Sequence, residues 1–213
     1  MKRLLMTVSL LLNGSFILYA SGEAPYERTD PNQQAPITTD MLNQLALAVQ
    51  EGNNFEEARQ AAQAGIQSID PDIQCSALEV FFALVKQGQA FQEATAAAQF
   101  GMNNQNTQSF ALTLFSELVQ KEHAFPEAIT AAQVVQQNKN VLVQHDALIL
   151  FKDLITQGQG LQEIISNTKS ILLTPNISDN IRYEARRLST LAQKKQSESL
   201  TRSFSVGTVP LVS

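Results

Sequence analysis

Four segments of the chain are versions of one another. Residues 55–63 read FEEARQAAQ, 91–99 FQEATAAAQ, 125–133 FPEAITAAQ and 161–169 the weaker LQEIISNTK, with starts 36, 34 and 36 residues apart. Upstream of each lies a second matching block: Met41-Leu42 to Val49, Ala77-Leu78 to Val85, Ala111-Leu112 to Val119 and Ala147-Leu148 to Ile155. A fifth copy of this upstream block runs from Ile181 to Gln193, its Ala185 following Ala147 by 38 residues. Two periodic blocks in a unit of this length describe a pair of helices. One pair cannot bury its own apolar surface, so each must stack on its neighbours. The expected fold is all-α, a short α-solenoid of about four two-helix repeats of period 34–38 plus a terminal helix.

Local chemistry agrees with that reading. In the second unit Ile73, Ala77, Val80, Phe81, Leu84 and Val85 fall at helical spacing, which predicts a first helix covered on several sides. The array's ends turn polar: Gln44 stands where inner units have Val80, Leu114 and Leu150, and Arg186, Ser189 and Gln193 stand where they have Leu78, Phe81 and Val85. Gly52, Gly88 and Gly158 follow the first helices, where a left-handed residue commonly ends a helix; Glu122 takes that place in the third unit, so its turn is expected to be built differently or strained. A glutamate recurs at Glu57, Glu93, Glu127 and Glu163, in the first turn of each second helix. There a carboxylate meets the positive end of the helix dipole, and Asn54 with Glu57 has capping-box spacing. Pro126 likewise suits a first turn.

Outside the array the segments read differently. Lys2 and Arg3 precede an apolar run to Ala20 broken by Asn13-Gly14-Ser15, with small residues at Ala20, Ser21 and Gly22; residues 1–20 are read as a signal peptide and the protein as secreted or periplasmic. Residues 21–39, with Pro25, Pro31 and Pro36, are expected to be an extended leader, 40–195 the repeat domain and 196–213 a flexible tail. No further stretch is apolar enough to suggest a membrane span in the mature form. Removing Lys2 and Arg3 takes the formal charge from −5 to −7, and with no basic stripe nucleic acid is not an expected partner.

The openings of three first helices carry a family resemblance. Asp72-Ile73-Gln74 leads to Ala77-Leu78, Leu142-Val143-Gln144 to Ala147-Leu148, and Asn180-Ile181-Arg182 to Ala185. These resemble the corresponding openings in HEAT and armadillo-like repeats. The resemblance covers about residues 40 to 195 and implies a right-handed superhelix whose second helices line a concave binding surface, a scaffold without chemistry of its own. Phe55-Glu56-Glu57-Ala58 also resembles the second-helix opening of tetratricopeptide repeats, but Phe82 and Lys152 stand where those repeats have a small first-helix residue.

Chemistry-bearing residues are sparse. The two histidines, His123 and His145, belong to no HExxH motif, and there is no glycine-rich phosphate loop or GxSxG. His123 with Glu127 offers at most two ligands from a turn, which is more often a surface ion pair. Cys75, the single cysteine, aligns with Ser109, His145 and Tyr183, so nothing demands a thiol there. Asn176-Ile177-Ser178 matches a glycosylation sequon. No catalysis, metal or cofactor is expected. On the second helices Phe55, Ala58, Ala62 and Gly65 should face the array, leaving Arg59, Gln63 and Gln67 opposite. Gln63, Gln99 and Gln133 then form a ladder continued by Lys169. Glutamine both donates and accepts, so this ladder, with Arg59, is the expected binding surface for a protein or peptide partner or a glycan, with little dependence on salt. The other class the sequence leaves open is a structural or self-assembling envelope protein.

Overall fold

The computed structural model describes residues 36–134, 138 and 140–205. The expected signal peptide and most of the expected leader lie outside these residues, as does the expected tail from 206. Among them are nine helices and no strand: α1 (Thr39–Gln50), α2 (Phe55–Gly65), α3 (Pro71–Lys86), α4 (Phe91–Gly101), α5 (Gln108–Gln120), α6 (Phe125–Val134), α7 (Val141–Gln157), α8 (Leu161–Leu173) and α9 (Asp179–Ser205). The protein is all-α.

The two helix types begin differently. First helices start from extended residues whose side chains accept a backbone N–H: Thr38 Oγ1 from Met41 N at 3.3 Å, Asp70 Oδ1 from Asp72 N at 2.9 Å and Asn140 Oδ1 from Leu142 N at 3.0 Å. α5 departs, with Thr107 in the right-handed region and its hydroxyl donating to Gly101 O at 2.6 Å. Second helices start from left-handed residues: Asn54, Ala90 and Ala124 at φ 57, 55 and 55, and Gly160 at φ 59. This corrects the capping box expected of Asn54 and Glu57. Asn54 makes no side-chain cap bond, because a capping box needs an extended residue at that place.

The turns ending the first helices share one construction. Gly52, Gly88, Glu122 and Gly158 are left-handed, at φ 85, 76, 65 and 75. Each donates its N–H three residues back, and the next residue donates five back, as in His123 N to Leu118 O at 2.8 Å. The third turn is therefore built like the others, and Glu122 bears the strain of a left-handed residue with a Cβ.

Each first helix packs on the next, α1 on α3, α3 on α5, α5 on α7 and α7 on α9, while α2, α4, α6 and α8 each pack against the first helices on either side. Phe81, Phe115 and Phe151 occupy equivalent places and are wholly buried. On the second helices Ala58 and Ala62, Ala94 and Ala98, and Ala128 and Ala132 are fully buried, so the helix axes come close. Gly65 and Gly101 tighten the approach: a Cβ there would stand 3.0 Å from Ala77 Cβ and 3.1 Å from Ala111 Cβ respectively. At the ends Gln44, Arg186 and Gln193 are exposed, whereas Ser189 is buried.

The last helix departs from the expected boundary. α9 continues through Ser205, so residues 196–205 are helical rather than part of a flexible tail. Lys194 and Glu198 lie one turn apart with charges 4.0 Å apart, and Gln196 Nε2 donates to Gln162 Oε1 of α8 at 3.0 Å, which ties the extension to the array.

Candidate functional site

The second helices hold the expected binding residues at equivalent places, but these side chains do different things. Gln99, Gln133 and Lys169 are exposed, and Gln63 is half-buried. Arg59 is committed within the fold. Its guanidinium donates to Glu56 in its own helix and, through Nη1 at 2.8 Å, to Glu93 Oε1 of α4. Hydrogen bonds to Glu56 and then Glu93 push the Arg59 pKa further up, and the bond from Arg59 holds the Glu56 carboxyl below its ordinary range.

Between α4 and α6 the expected surface becomes concave. Between α4 and α6 lies a groove of about 390 Å³ whose floor is the buried Met102, Phe115 and Ala131. Gln99 and Asn103 stand on the α4 side; Pro126, Glu127 and Thr130 line the α6 side. Its open end is continued by Val134, 61% exposed, so an apolar surface lies in water where one at the floor does not. Of the sequence-predicted ladder, Gln99 is the residue that lines this groove.

A different glutamine series is the better-organised one. Gln74, Gln108 and Gln144 occupy equivalent places at the start of α3, α5 and α7, and each donates its side-chain amide to a carbonyl six residues back: Ser68 O at 2.6 Å, Met102 O at 3.1 Å and Asn138 O at 2.7 Å. Two of them also accept from the following loop, Gln74 Oε1 from Asn104 at 3.0 Å and Gln108 Oε1 from Asn138 at 2.6 Å. Gln74 and Gln108 are buried, and these bonds satisfy loop carbonyls and fasten each helix start to the loops beside it. In the fifth copy Arg182 takes this place, and its Nε is buried without a hydrogen-bond partner. The signal was in the sequence as the residue ending Asp72-Ile73-Gln74 and Leu142-Val143-Gln144; its role depends on loop partners that no fixed spacing reveals.

The remaining candidates resolve into structural contacts. His123 forms no ion pair with Glu127; its ring stacks on Phe91, centroids 4.0 Å apart at 24°, joining two successive turns. Cys75 is half-buried, with Sγ 3.7 Å from Asn106 O, and burial pushes its thiol pKa up. Asn176 of the sequon is exposed in the turn before α9, at φ 60. Among the described residues no cluster of three or more His, Cys, Asp and Glu is placed to hold a metal, and no helix is long and apolar enough to cross a membrane. No protein-family model matches the chain, and comparison with curated proteins finds no match.

Proposed function

We propose that the protein is an exported, non-catalytic α-solenoid that binds a protein or peptide segment along its second helices. The observation that carries this reading is the groove between α4 and α6, where Gln99 meets an apolar floor. Main-chain groups of an extended segment need donors and acceptors, which Gln99 and Asn103 supply, while Met102 and Ala131 offer apolar contact to a side chain. Contacts that join helices only to near neighbours in the chain, together with the repeating turns, support the solenoid; the HEAT and armadillo-like resemblance agrees with it.

The test is site-specific photocrosslinking. A photoreactive residue placed at Gln63, Gln99 or Gln133 should capture a partner from the protein's own cell extract or medium. The same probe at Glu79 or Thr113, exposed on the first helices, should not. Equal capture from both sets would refute a second-helix site, and growth of molecular mass with concentration in place of capture would favour self-assembly.

A further inference from the structure

The groove between α4 and α6 is short of a charge that the preceding pair of second helices possesses. Between α2 and α4, Arg59 reaches across at 2.8 Å to neutralise Glu93. One unit on, the residues equivalent to Arg59 and Glu93 are Thr95 and Glu127. The Thr95 hydroxyl turns back to donate to Phe91 O at 2.8 Å, and Glu127 has no ion pair among the described residues. Neither α4 nor α6 contains a lysine or arginine, and among the described residues Glu127 is the sole charge lining the groove. Thus a half-buried carboxylate stands beside an apolar floor with the cation of the preceding unit missing.

From this we infer that the groove takes a peptide segment of the partner that places an arginine against Glu127 and an aliphatic side chain against Val134. The inference rests on the second-helix reading given above and names the chemistry of what binds there. A guanidinium is the better match because the fold already uses one at the equivalent place, where it holds one carboxylate on each of two helices. The aliphatic partner follows from Val134, which lines the groove 61% exposed: a side chain packed on it removes apolar surface from water. The ladder glutamines alone predict binding insensitive to salt, whereas an arginine on Glu127 adds a part-exposed ion pair that salt weakens.

The intact protein is used to select from a phage-displayed library of random peptides, and the recovered sequences are synthesised for titration. Selected peptides should combine arginine with a nearby leucine, isoleucine or valine. Glu127→Gln, which keeps the side chain's shape, should weaken them about fivefold to tenfold and remove most of the salt dependence. Thr95→Arg supplies the missing cation from within, as Arg59 does for Glu93, and should weaken them at least as much while circular dichroism stays unchanged. Peptides without cations, or peptides held equally by wild type, Glu127→Gln and Thr95→Arg, overturn the inference; if they still crosslink through Gln99, the second-helix reading survives. Recovery of no peptide, or crosslinking only through Glu79 or Thr113, overturns both. If Thr95→Arg loses helicity, the Glu127→Gln result decides alone.

Discussion

Gly160 lies directly beneath Ile129: a Cβ on Gly160 would stand 2.6 Å from Ile129 Cδ1 and 2.8 Å from its Cγ1. The equivalent left-handed residues are Ala90 and Ala124, and the residues equivalent to Ile129 in the preceding units are Arg59 and Thr95. A bulky branched side chain in the third unit thus goes with a missing methyl in the fourth. Gly160→Ala should cost about 2–3 kcal/mol, combining left-handed strain with overpacking. In an Ile129→Thr background the same change should cost only about 1 kcal/mol, the strain alone. Urea unfolding of the four variants gives the coupling, and additive losses would mean the two residues do not share this contact.

Glu122 bears a left-handed conformation that glycine holds in the three equivalent turns. Its side chain is exposed, so removing it costs no packing. Glu122→Gly should therefore stabilise the protein by about 1 kcal/mol, the relieved Cβ clash outweighing the greater freedom glycine brings to the unfolded chain. A lower urea midpoint in the variant would mean that the turn is not left-handed there.

Phe115 was assignable to the core by its register with Phe81 and Phe151, and it is wholly buried. Phe115→Ala should cost about 3–5 kcal/mol. Because the ring also floors the α4 to α6 groove, the vacated space can open to water instead of remaining a closed void, which places the expected loss toward the lower part of that range. A loss under about 1 kcal/mol would contradict its burial.

Such features were legible because each has a local signature. Hydrophobic spacing marks a buried helix face, and a left-handed turn selects glycine, so Gly52, Gly88 and Gly158 pointed to their own conformation and even to the strain at Glu122. Features made by two units at once were not. Arg59 and Glu93 are 34 residues apart, and nothing short of the packing of α2 beside α4 shows that one neutralises the other. Asn104 lies four residues before Gln108 while Asn138 lies six before Gln144, so these donors align only in space. The second-helix ladder drew attention for its regularity in a glutamine-rich chain, yet the series of Gln74, Gln108 and Gln144 carries the repeated bonding. The helical stretch past residue 195 was hidden by its serines and charges, which read as a tail until paired one turn apart and against α8.

Gln108, like Gln74, is engaged at both ends of its side-chain amide. It donates to Met102 O at 3.1 Å and accepts from Asn138 Nδ2 at 2.6 Å. Gln108→Leu fills similar space but leaves Met102 O, in a buried bond, and the half-buried Asn138 amide without their partner, an expected loss of about 2–3 kcal/mol. Leucine's greater hydrophobicity offsets part of this. Amide hydrogen exchange should show faster opening at the start of α5 than in distant α1. Unchanged stability would reduce the clamp to a surface contact.

The pair formed by Arg59 and Glu56 has a definite pH signature. Hydrogen bonds from Arg59 and then Gln60 lower the Glu56 pKa from its ordinary 4.5, so the folded carboxyl gives up its proton more readily than the unfolded one. A depressed carboxylate adds stability that is fully present above its unfolded value and is lost as pH falls through the folded value. Glu56 is exposed, so solvent screens the pair and the signature is sought in titration before stability. Carbon-detected NMR should give Glu56 a midpoint below 4.5 in the wild type and a higher one in Arg59→Gln. The difference in urea midpoint between the two proteins should hold steady through neutral pH and shrink below the ordinary carboxylate range, as the acid form of Glu56 releases the guanidinium. An identical Glu56 midpoint in both proteins would mean that Arg59 does not hold this carboxylate in solution.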